Sequence, residues 1–177
     1  MNLKDKKGII FGIANDHSIA WGITEKLNSF GANIALTYQN DTLLKRVEPL
    51  AKKINAEHLI QCDFAEKNSI KNCFNAIKKK WENIDFVVHA VAFSDKNELN
   101  GKYVETSKEN FTNTLNISCF SFTEISKYAS EMMPNGGSLL TMSFYGANKV
   151  MPNYNVMGIA KAALETSVKY LSVDLGN

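Results

Sequence analysis

The chain has 177 residues, of which 45% are hydrophobic and 21% charged, a composition typical of globular proteins and unlike that of disordered or fibrous ones. The net charge of +2 is spread over interspersed signs, and Arg46 is the only arginine, so nucleic acid is not an expected partner. No apolar run is long enough to span a membrane or to form a signal peptide, which predicts a soluble, cytoplasmic protein.

Short apolar runs rich in β-branched residues alternate with longer amphipathic runs along the whole chain. This alternation is typical of βαβ units around a parallel sheet whose strands are covered on both faces. We therefore predict an α/β fold, a Rossmann-like doubly wound parallel sheet in three αβα layers, forming a single domain over residues 1–177. The predicted strands are Gly8–Gly12, Asn33–Tyr38, His58–Cys62, Asp85–Ala90 and Ser138–Met142. The predicted helices are Ser18–Phe30, Thr42–Ile54, Ser69–Trp81, Lys108–Met132 and Asn153–Leu175.

Local signals refine these elements. Ser18 and Ser69 are predicted to cap the first and third helices, and Gly31 to follow the end of the first. The three cysteines are odd in number and far apart, so they are expected to be reduced. The irregular stretch 91–107 after the fourth strand has a length typical of functional connections, and an ordinary surface loop is the alternative.

The turn after the first strand reads FGIANDHSIAWG. Gly12 permits a tight turn, and the backbone N–H groups of Ser18 and Ile19 would lie at a helix N-terminus, where a dinucleotide pyrophosphate binds. The stretch is not GxGxxG, so a plain turn without a ligand is an equal alternative.

The second and third strands end in polar residues. Gln39 stands where an acidic residue often binds the adenosine ribose, and no Arg or Lys follows within a few residues to bind a 2'-phosphate, which favours NADH over NADPH. Asp63 and Phe64 are suited to hold adenine. A turn-capping role is the alternative for Asp63.

Tyr154 and Lys161 are seven residues apart on the last predicted helix, so they share a face about 10 Å apart along its axis. A nearby cation can make a tyrosine a better acid or oxyanion stabiliser, and a lysine can bind ribose hydroxyls. The alternative is an amphipathic helix with a half-buried aromatic side chain and an exposed lysine.

Five stretches, GIANDHSIAWGI, LTYQND, QCDFAE, NELNGKYVETS and MPNYNVMGIAKAALE, resemble the short-chain dehydrogenase/reductase superfamily. Within it, the chain from Lys7 onward is similar to bacterial enoyl-acyl carrier protein reductases. The resemblance implies reduction of the trans-2 double bond of enoyl-acyl carrier protein thioesters by hydride from NADH, in fatty acid biosynthesis, by a homotetramer. Tyr154 would stabilise the enolate oxygen, and Lys161 would bind the nicotinamide ribose and support Tyr154 electrostatically. Met157 occupies the place of the proton-donating tyrosine of carbonyl-reducing relatives.

The same resemblance implies roles for a wider set of residues, and no metal. The implied cofactor-binding residues are Gly12, Ser18, Ile19, Gln39, Asp63, Phe64, Val91 and Lys161, and the implied substrate-binding residue is Ser94. Phe144 follows Ser143 where many relatives have a tyrosine, so we assign no role to Tyr145.

The relatives continue through two more strands, so we expect the chain to be a C-terminally incomplete dinucleotide-binding reductase domain that lacks those strands. Expressed alone, it should be poorly soluble or inactive. Two alternatives remain, a carbonyl-reducing short-chain dehydrogenase and a non-catalytic nucleotide-binding module.

Overall fold

A computed structural model describes residues 2–176 and contains one five-stranded sheet. Its strands are β1 (Lys7–Phe11), β2 (Asn33–Tyr38), β3 (His58–Gln61), β4 (Phe86–His89) and β5 (Ser138–Thr141). The strand order is β3-β2-β1-β4-β5, and every neighbouring pair is parallel. The predicted Rossmann-like α/β fold is therefore confirmed, and no predicted strand boundary is wrong by more than one residue.

Within residues 2–176, seven α-helices accompany the strands. They are α1 (Ile19–Ser29), α2 (Asp41–Lys53), α3 (Ser69–Lys78), α4 (Lys96–Leu99), α5 (Lys108–Leu115), α6 (Ser121–Ser130) and α7 (Asn155–Leu175). A π-helical turn, Asn116–Phe120, lies between α5 and α6, and two short 3-10 turns cover Tyr103–Glu105 and Tyr145–Ala147. Over the described residues, none of these helices is both long and apolar enough to cross a membrane.

The chain divides into two compact units, which we describe separately. The sheet unit contains Met1–Ala90 and Lys127–Thr141, and the helical unit contains Val91–Ser126 and Met142–Asn177. The sheet unit holds all five strands. The helical unit holds α4, α5, the π-helical turn, the first part of α6 and α7.

Helices cover both faces of the sheet within the sheet unit, because successive strand side chains point to opposite faces. On one face, Ile10 of β1 belongs to a buried apolar cluster with Trp21 of α1 and Val47 of α2. The next residue, Phe11, contacts Phe74 of α3 with ring centroids 6.2 Å apart. The three-layer arrangement thus arises from the alternating side chains of β1.

The prediction of one long helix over Lys108–Met132 is wrong. The π-helical turn interrupts it, and the helix ends at Ser130. Ser118 lies inside this turn. Its hydroxyl accepts a hydrogen bond from the Phe93 N–H at 2.9 Å and donates one to the Phe93 carbonyl at 3.0 Å. The widened turn therefore carries a tertiary contact to a distant backbone segment, which local periodicity does not encode.

The predicted cap of α3 and the predicted start of α7 are also corrected. Asn68, in the left-handed region with φ 63°, is the N-cap of α3, while the Ser69 hydroxyl accepts from the Asp63 N–H at 2.9 Å. Helix α7 begins at Asn155 rather than Asn153, and both asparagines have positive φ. The connection 91–107 is less irregular than predicted because it contains α4 and a 3-10 turn. All three cysteines are buried, and no disulfide joins them within residues 2–176.

Candidate functional site

Gly12 forms the tight turn after β1 in the sheet unit. Its φ is +98°, and a Cβ atom built on it would lie 2.1 Å from the Ala90 carbonyl oxygen. Both observations require glycine, since L side chains rarely adopt this φ and no Cβ fits beside a backbone oxygen at that distance. The sequence prediction for the turn itself is confirmed here.

The Ser18 hydroxyl does not cap α1, although Ser18 occupies the N-cap position. Its oxygen instead accepts hydrogen bonds from the backbone N–H groups of Ala14 at 3.0 Å and Asn15 at 3.1 Å. The Ser18 N–H donates to the Asn15 carbonyl at 3.2 Å. The predicted side-chain cap is therefore wrong, because Ser18 closes the turn that precedes the helix.

Ile19 is the first residue of α1 and is 68% exposed. Its backbone N–H has no intrahelical acceptor, and the helix dipole favours an anion at this end. Together with the close backbone turn at Gly12, this exposed helix N-terminus fits a dinucleotide pyrophosphate.

Gln39 and Asp63 lie side by side at the ends of β2 and β3. The Gln39 Nε2 donates to Asp63 Oδ2 at 3.1 Å, and Gln61 Nε2 donates to the Gln39 carbonyl at 3.1 Å. Asp63 Oδ1 accepts from the Ala65 N–H at 2.9 Å, so the turn-capping contact considered as an alternative is present as well. The structure thus brings the two predicted adenosine-binding residues together.

Phe64 follows Asp63 and is half-buried. Its ring packs edge-on against Phe11 with centroids 5.8 Å apart and against His89 with centroids 6.0 Å apart. His89 is buried, and its Nδ1 lies 2.9 Å from the Thr141 hydroxyl. Phe64 therefore covers the carboxyl ends of β1 and β4.

The helical unit begins with Val91, which is half-buried. Ser94, three residues on, is only 8% exposed, and its hydroxyl donates to Asn110 Oδ1 at 3.2 Å and accepts from the Thr114 hydroxyl at 2.9 Å. Ser94, Asn110 and Met157 line a cavity of about 900 Å³. Ser94 thus lines the cavity, as expected of a substrate-binding residue. Its hydroxyl already has two protein partners.

Lys161 lies within α7, and Tyr154 stands at its N-terminus, one residue before the first helical residue. Tyr154 is the half-buried N-cap residue of α7, and its ring lies 4.9 Å from that of Phe144, measured between centroids. Lys161 is 5% exposed, and its Nζ donates to the Met142 carbonyl at 2.7 Å. The alternative of an exposed lysine on an amphipathic helix is therefore wrong.

Burial moves the pKa values of both side chains. Desolvation raises the pKa of Tyr154 above its ordinary value, and desolvation lowers the pKa of Lys161. Burial is the cause of the raised pKa of Tyr154, and the Lys161 ammonium group donates to the Met142 carbonyl. A raised pKa keeps the Tyr154 phenol protonated at neutral pH, which suits a hydrogen-bond donor.

Sequence reasoning missed Glu165, which stands four residues after Lys161 on α7. Its Oε1 accepts from the Ser143 hydroxyl at 2.5 Å, and its Oε2 is 3.4 Å from Asn148 Nδ2. The i,i+4 spacing from Lys161 was the available signal, since residues at that spacing are neighbours on a helix surface.

A model of the family described as Enoyl-(Acyl carrier protein) reductase matches residues 12–177. Enoyl-acyl carrier protein reductase (NADH) 2 of Rhizobium meliloti is 54% identical over 99% of this chain, which spans 65% of that relative. The crystal structure of the Anaplasma phagocytophilum enoyl reductase with NAD superimposes with a TM-score of 0.95 at 55% identity, covering 98% of this chain and 66% of that one.

A third relative, the Bacillus cereus enoyl-acyl carrier protein reductase, was solved with NADP⁺ and an indole naphthyridinone. It is 40% identical, with a TM-score of 0.96, over 99% of this chain and 70% of its own. Sequence and structure agree across nearly all of the present chain, which spans about two thirds of these relatives' lengths. The chain belongs to the enoyl-acyl carrier protein reductase family.

Proposed function

We propose that the chain is the catalytic part of an NADH-dependent enoyl-acyl carrier protein reductase. In this role it reduces the trans-2 double bond of enoyl thioesters in fatty acid biosynthesis. The observation that carries the proposal is the arrangement on α7, where a half-buried Tyr154 precedes a buried Lys161 by seven residues and Met157 lies between them. Family membership supports the same reaction.

The residues of the sheet unit fit a dinucleotide. Gly12 and the Ile19 N–H would bind the pyrophosphate, Ser18 would hold the turn, and Gln39 and Asp63 would bind the adenosine. In the helical unit, Lys161 would bind the nicotinamide ribose through the N–H groups that Met142 does not use. We also assign cofactor contacts to Phe64 and Val91 and a substrate contact to Ser94.

NADH, when bound, would supply the hydride that adds to the β-carbon of the thioester, and a proton from solvent would complete the reduction at the α-carbon. Negative charge then develops on the thioester oxygen, where a hydrogen bond from the protonated Tyr154 phenol stabilises it. Met157 has no proton to donate, so this helix lacks the acid that a carbonyl reductase needs at that position. The chemistry of α7 therefore favours a conjugated thioester over a ketone.

The oxidation of NADH, followed by absorbance, tests the proposal in the longer reductase of which we propose this chain to be a part, with an enoyl thioester and a ketoacyl thioester as substrates. Replacing Tyr154 by Phe removes the donor, and loss of one such donor costs about 10²-fold or more in kcat. We expect enoyl turnover to fall by this factor while NADH affinity, measured by fluorescence, is unchanged. The control is Tyr145→Phe, which removes a hydroxyl from a 55% exposed side chain and should have little effect.

Two results would overturn the proposal. Turnover of the ketoacyl substrate alone would identify a carbonyl reductase. NADH binding without turnover of either substrate would indicate a non-catalytic nucleotide-binding module.

We further propose a cytoplasmic homotetramer. Apolar side chains on α7 are exposed to an extent that favours association, with Tyr170 and Val173 each 73% exposed and Ile159 42% exposed. Small residues, Ala162 and Ala163, line a shallow groove of about 670 Å³ on the same helix, which would allow close approach of a second copy. Sedimentation equilibrium would measure the subunit number.

A further inference from the structure

The segment after β5, Met142–Asn148, lies along one stripe of α7. Tyr154, Gly158, Lys161 and Glu165 are spaced by four, three and four residues, so they share one helix face. A Cβ atom on Gly158 would lie 2.9 Å from the Gly146 carbonyl oxygen, which shows how closely the segment approaches the helix. The segment therefore depends on this stripe for its position.

Hydrogen bonds from the stripe hold the first two residues of the segment. Lys161 donates to the Met142 carbonyl at 2.7 Å, and Glu165 accepts from the hydroxyl of the next residue, Ser143, at 2.5 Å. A hydroxyl-to-carboxylate bond of this length is charge-assisted and stronger than a neutral one. Asn148, the last residue of the segment, donates a hydrogen bond from its Nδ2 to the same Glu165 carboxylate. At 3.4 Å this bond is weaker.

The rest of the segment contacts Tyr154. Phe144 follows Ser143, and its ring lies 4.9 Å from the Tyr154 ring. A Cβ atom on Gly146 would lie 2.5 Å from the Tyr154 ring, so that ring has no free space on this side. Displacement of Ser143 would therefore move both of its neighbours. Phe144 would shift against the Tyr154 ring, and the Met142 carbonyl would shift away from Lys161.

We propose that Glu165 is a positioning residue for Tyr154 and Lys161, acting through Ser143 and the segment Met142–Asn148. The inference rests on the proposed function and deepens it. The Lys161 ammonium group has three N–H donors, so it can donate to a ribose hydroxyl and to the Met142 carbonyl at the same time. Both hydrogen bonds can form only while the Met142 carbonyl stays in place. Glu165 keeps it there by fixing the following residue.

Three variants, Glu165→Ala, Ser143→Ala and their combination, test the proposal. Misplacement of reacting groups by about 1 Å can cost up to about 10²-fold, and we expect each single variant to lower kcat at least about tenfold while KM for the thioester changes less than about twofold. Because both side chains act through one bond, the double variant should be no worse than either single one. Multiplying effects would overturn the proposal.

Two further variants separate positioning from loss of charge. Glu165→Gln keeps an oxygen that accepts from Ser143, so it should recover most of the activity lost in Glu165→Ala. Asp174→Asn removes the same charge from an exposed position on the same helix and should leave kcat unchanged. An Asp174→Asn loss equal to that of Glu165→Ala would show a general charge effect and overturn the proposal.

A spectroscopic readout tests the positioning without turnover. The ¹³Cζ resonance of labelled Tyr154 should shift in Glu165→Ala and Ser143→Ala and return toward the wild-type value in Glu165→Gln. An unchanged resonance in Glu165→Ala would overturn the inference even if turnover falls. Absence of turnover in the wild type of the longer reductase would instead overturn the proposed function, and the Tyr154 resonance would still decide whether Glu165 positions that ring.

Discussion

The orientation of the Gln39 amide depends on Asp63. A carboxylate accepts hydrogen bonds and donates none, so Gln39 Nε2 must be the atom that faces Asp63. The amide oxygen is then the free end of Gln39, and it can accept a hydrogen bond from a ribose hydroxyl. A 2'-phosphate would meet this oxygen and the negative charge of Asp63, which gives a physical reason for the preference for NADH that we propose.

Replacing Asp63 by Asn should weaken this preference. The variant removes the negative charge and lets the Gln39 amide turn, so NADPH affinity should rise relative to NADH affinity. For an exposed site the expected change is about 0.5–1 kcal/mol, or roughly two- to fivefold in the ratio of the two dissociation constants. Fluorescence titration at low ionic strength measures the ratio, and an unchanged ratio would show that Asp63 has no part in the selection.

Residue types and spacing indicated four candidate site residues, Gly12, Gln39, Tyr154 and Lys161. Gly12 and Gln39 stand at the ends of predicted strands, and Tyr154 and Lys161 share a face of one predicted helix. A single element therefore determines where each of them lies. The hydroxyl of Ser18 could not be predicted in the same way. A serine at an N-cap can accept from the helix or from the preceding turn, and only the folded path of 14–18 selects the turn. Glu165 was missed because its partners lie in a distant segment.

The turn between β1 and α1 depends on glycine at position 12. Gly12→Ala would force a Cβ atom against the Ala90 carbonyl at an unfavourable φ, which should lower the free energy of unfolding by about 1–3 kcal/mol and weaken NADH binding. Urea denaturation and fluorescence titration measure the two effects.

Gly22→Ala is the matched control for this substitution. Gly22 lies inside α1, and nothing lies within 4 Å of the Cβ position. Alanine should therefore stabilise the helix by about 0.5–1 kcal/mol, since glycine loses more backbone entropy on folding. Equal destabilisation by both substitutions would mean that the conformation at Gly12 does not matter.

Elements with strong periodicity could be predicted almost to the residue. The strands are short apolar runs bounded by polar residues or glycine, so their ends are locally encoded. The α5–α6 region could not be predicted in full, because its π-helical turn coincides with the Ser118–Phe93 hydrogen bonds. Tertiary contacts of this kind leave no signature in hydrophobic spacing.

Stability of the whole molecule should depend on pH through His58. The imidazole is 5% exposed, its Nε2 has no hydrogen-bond partner among the described residues, and its ring packs on Trp81 with centroids 4.6 Å apart. Burial, and secondarily the charge of Lys80, lower the pKa of His58, while the charge of Glu57 acts in the opposite direction. The unfolded chain therefore takes up a proton near pH 6.5 that the folded chain resists.

The free energy of unfolding should accordingly fall as pH decreases from about 7 through 6.5 toward the lowered folded pKa. His58→Phe keeps a ring against Trp81 but cannot titrate, so the variant should lose less stability over the same range. Urea denaturation at pH 7.5 and pH 5.5 measures both proteins. Equal losses of stability would show that His58 does not contribute to the pH dependence.

The parallel sheet as a whole could be predicted from the alternation of strands and helices, but that alternation left the strand order open. Placing β1 in the centre depends on which chain segments cross over to the other side of β1. Both of its neighbours, β2 and β4, are largely buried, so burial does not distinguish them. The division into two compact units was likewise not predicted, since the sheet unit draws on two separate parts of the chain.

The strand order also constrains the sequence of events during folding. Among the described residues, β5 pairs only with β4, and β4 pairs with β1 in the centre of the sheet. The first three strands come from the first 61 residues and can pair through short crossover connections. The β4–β5 pair instead closes a chain loop from Phe86 to Ser138, which costs more entropy. A chain emerging from the ribosome would therefore pair β1, β2 and β3 before β5 pairs with β4.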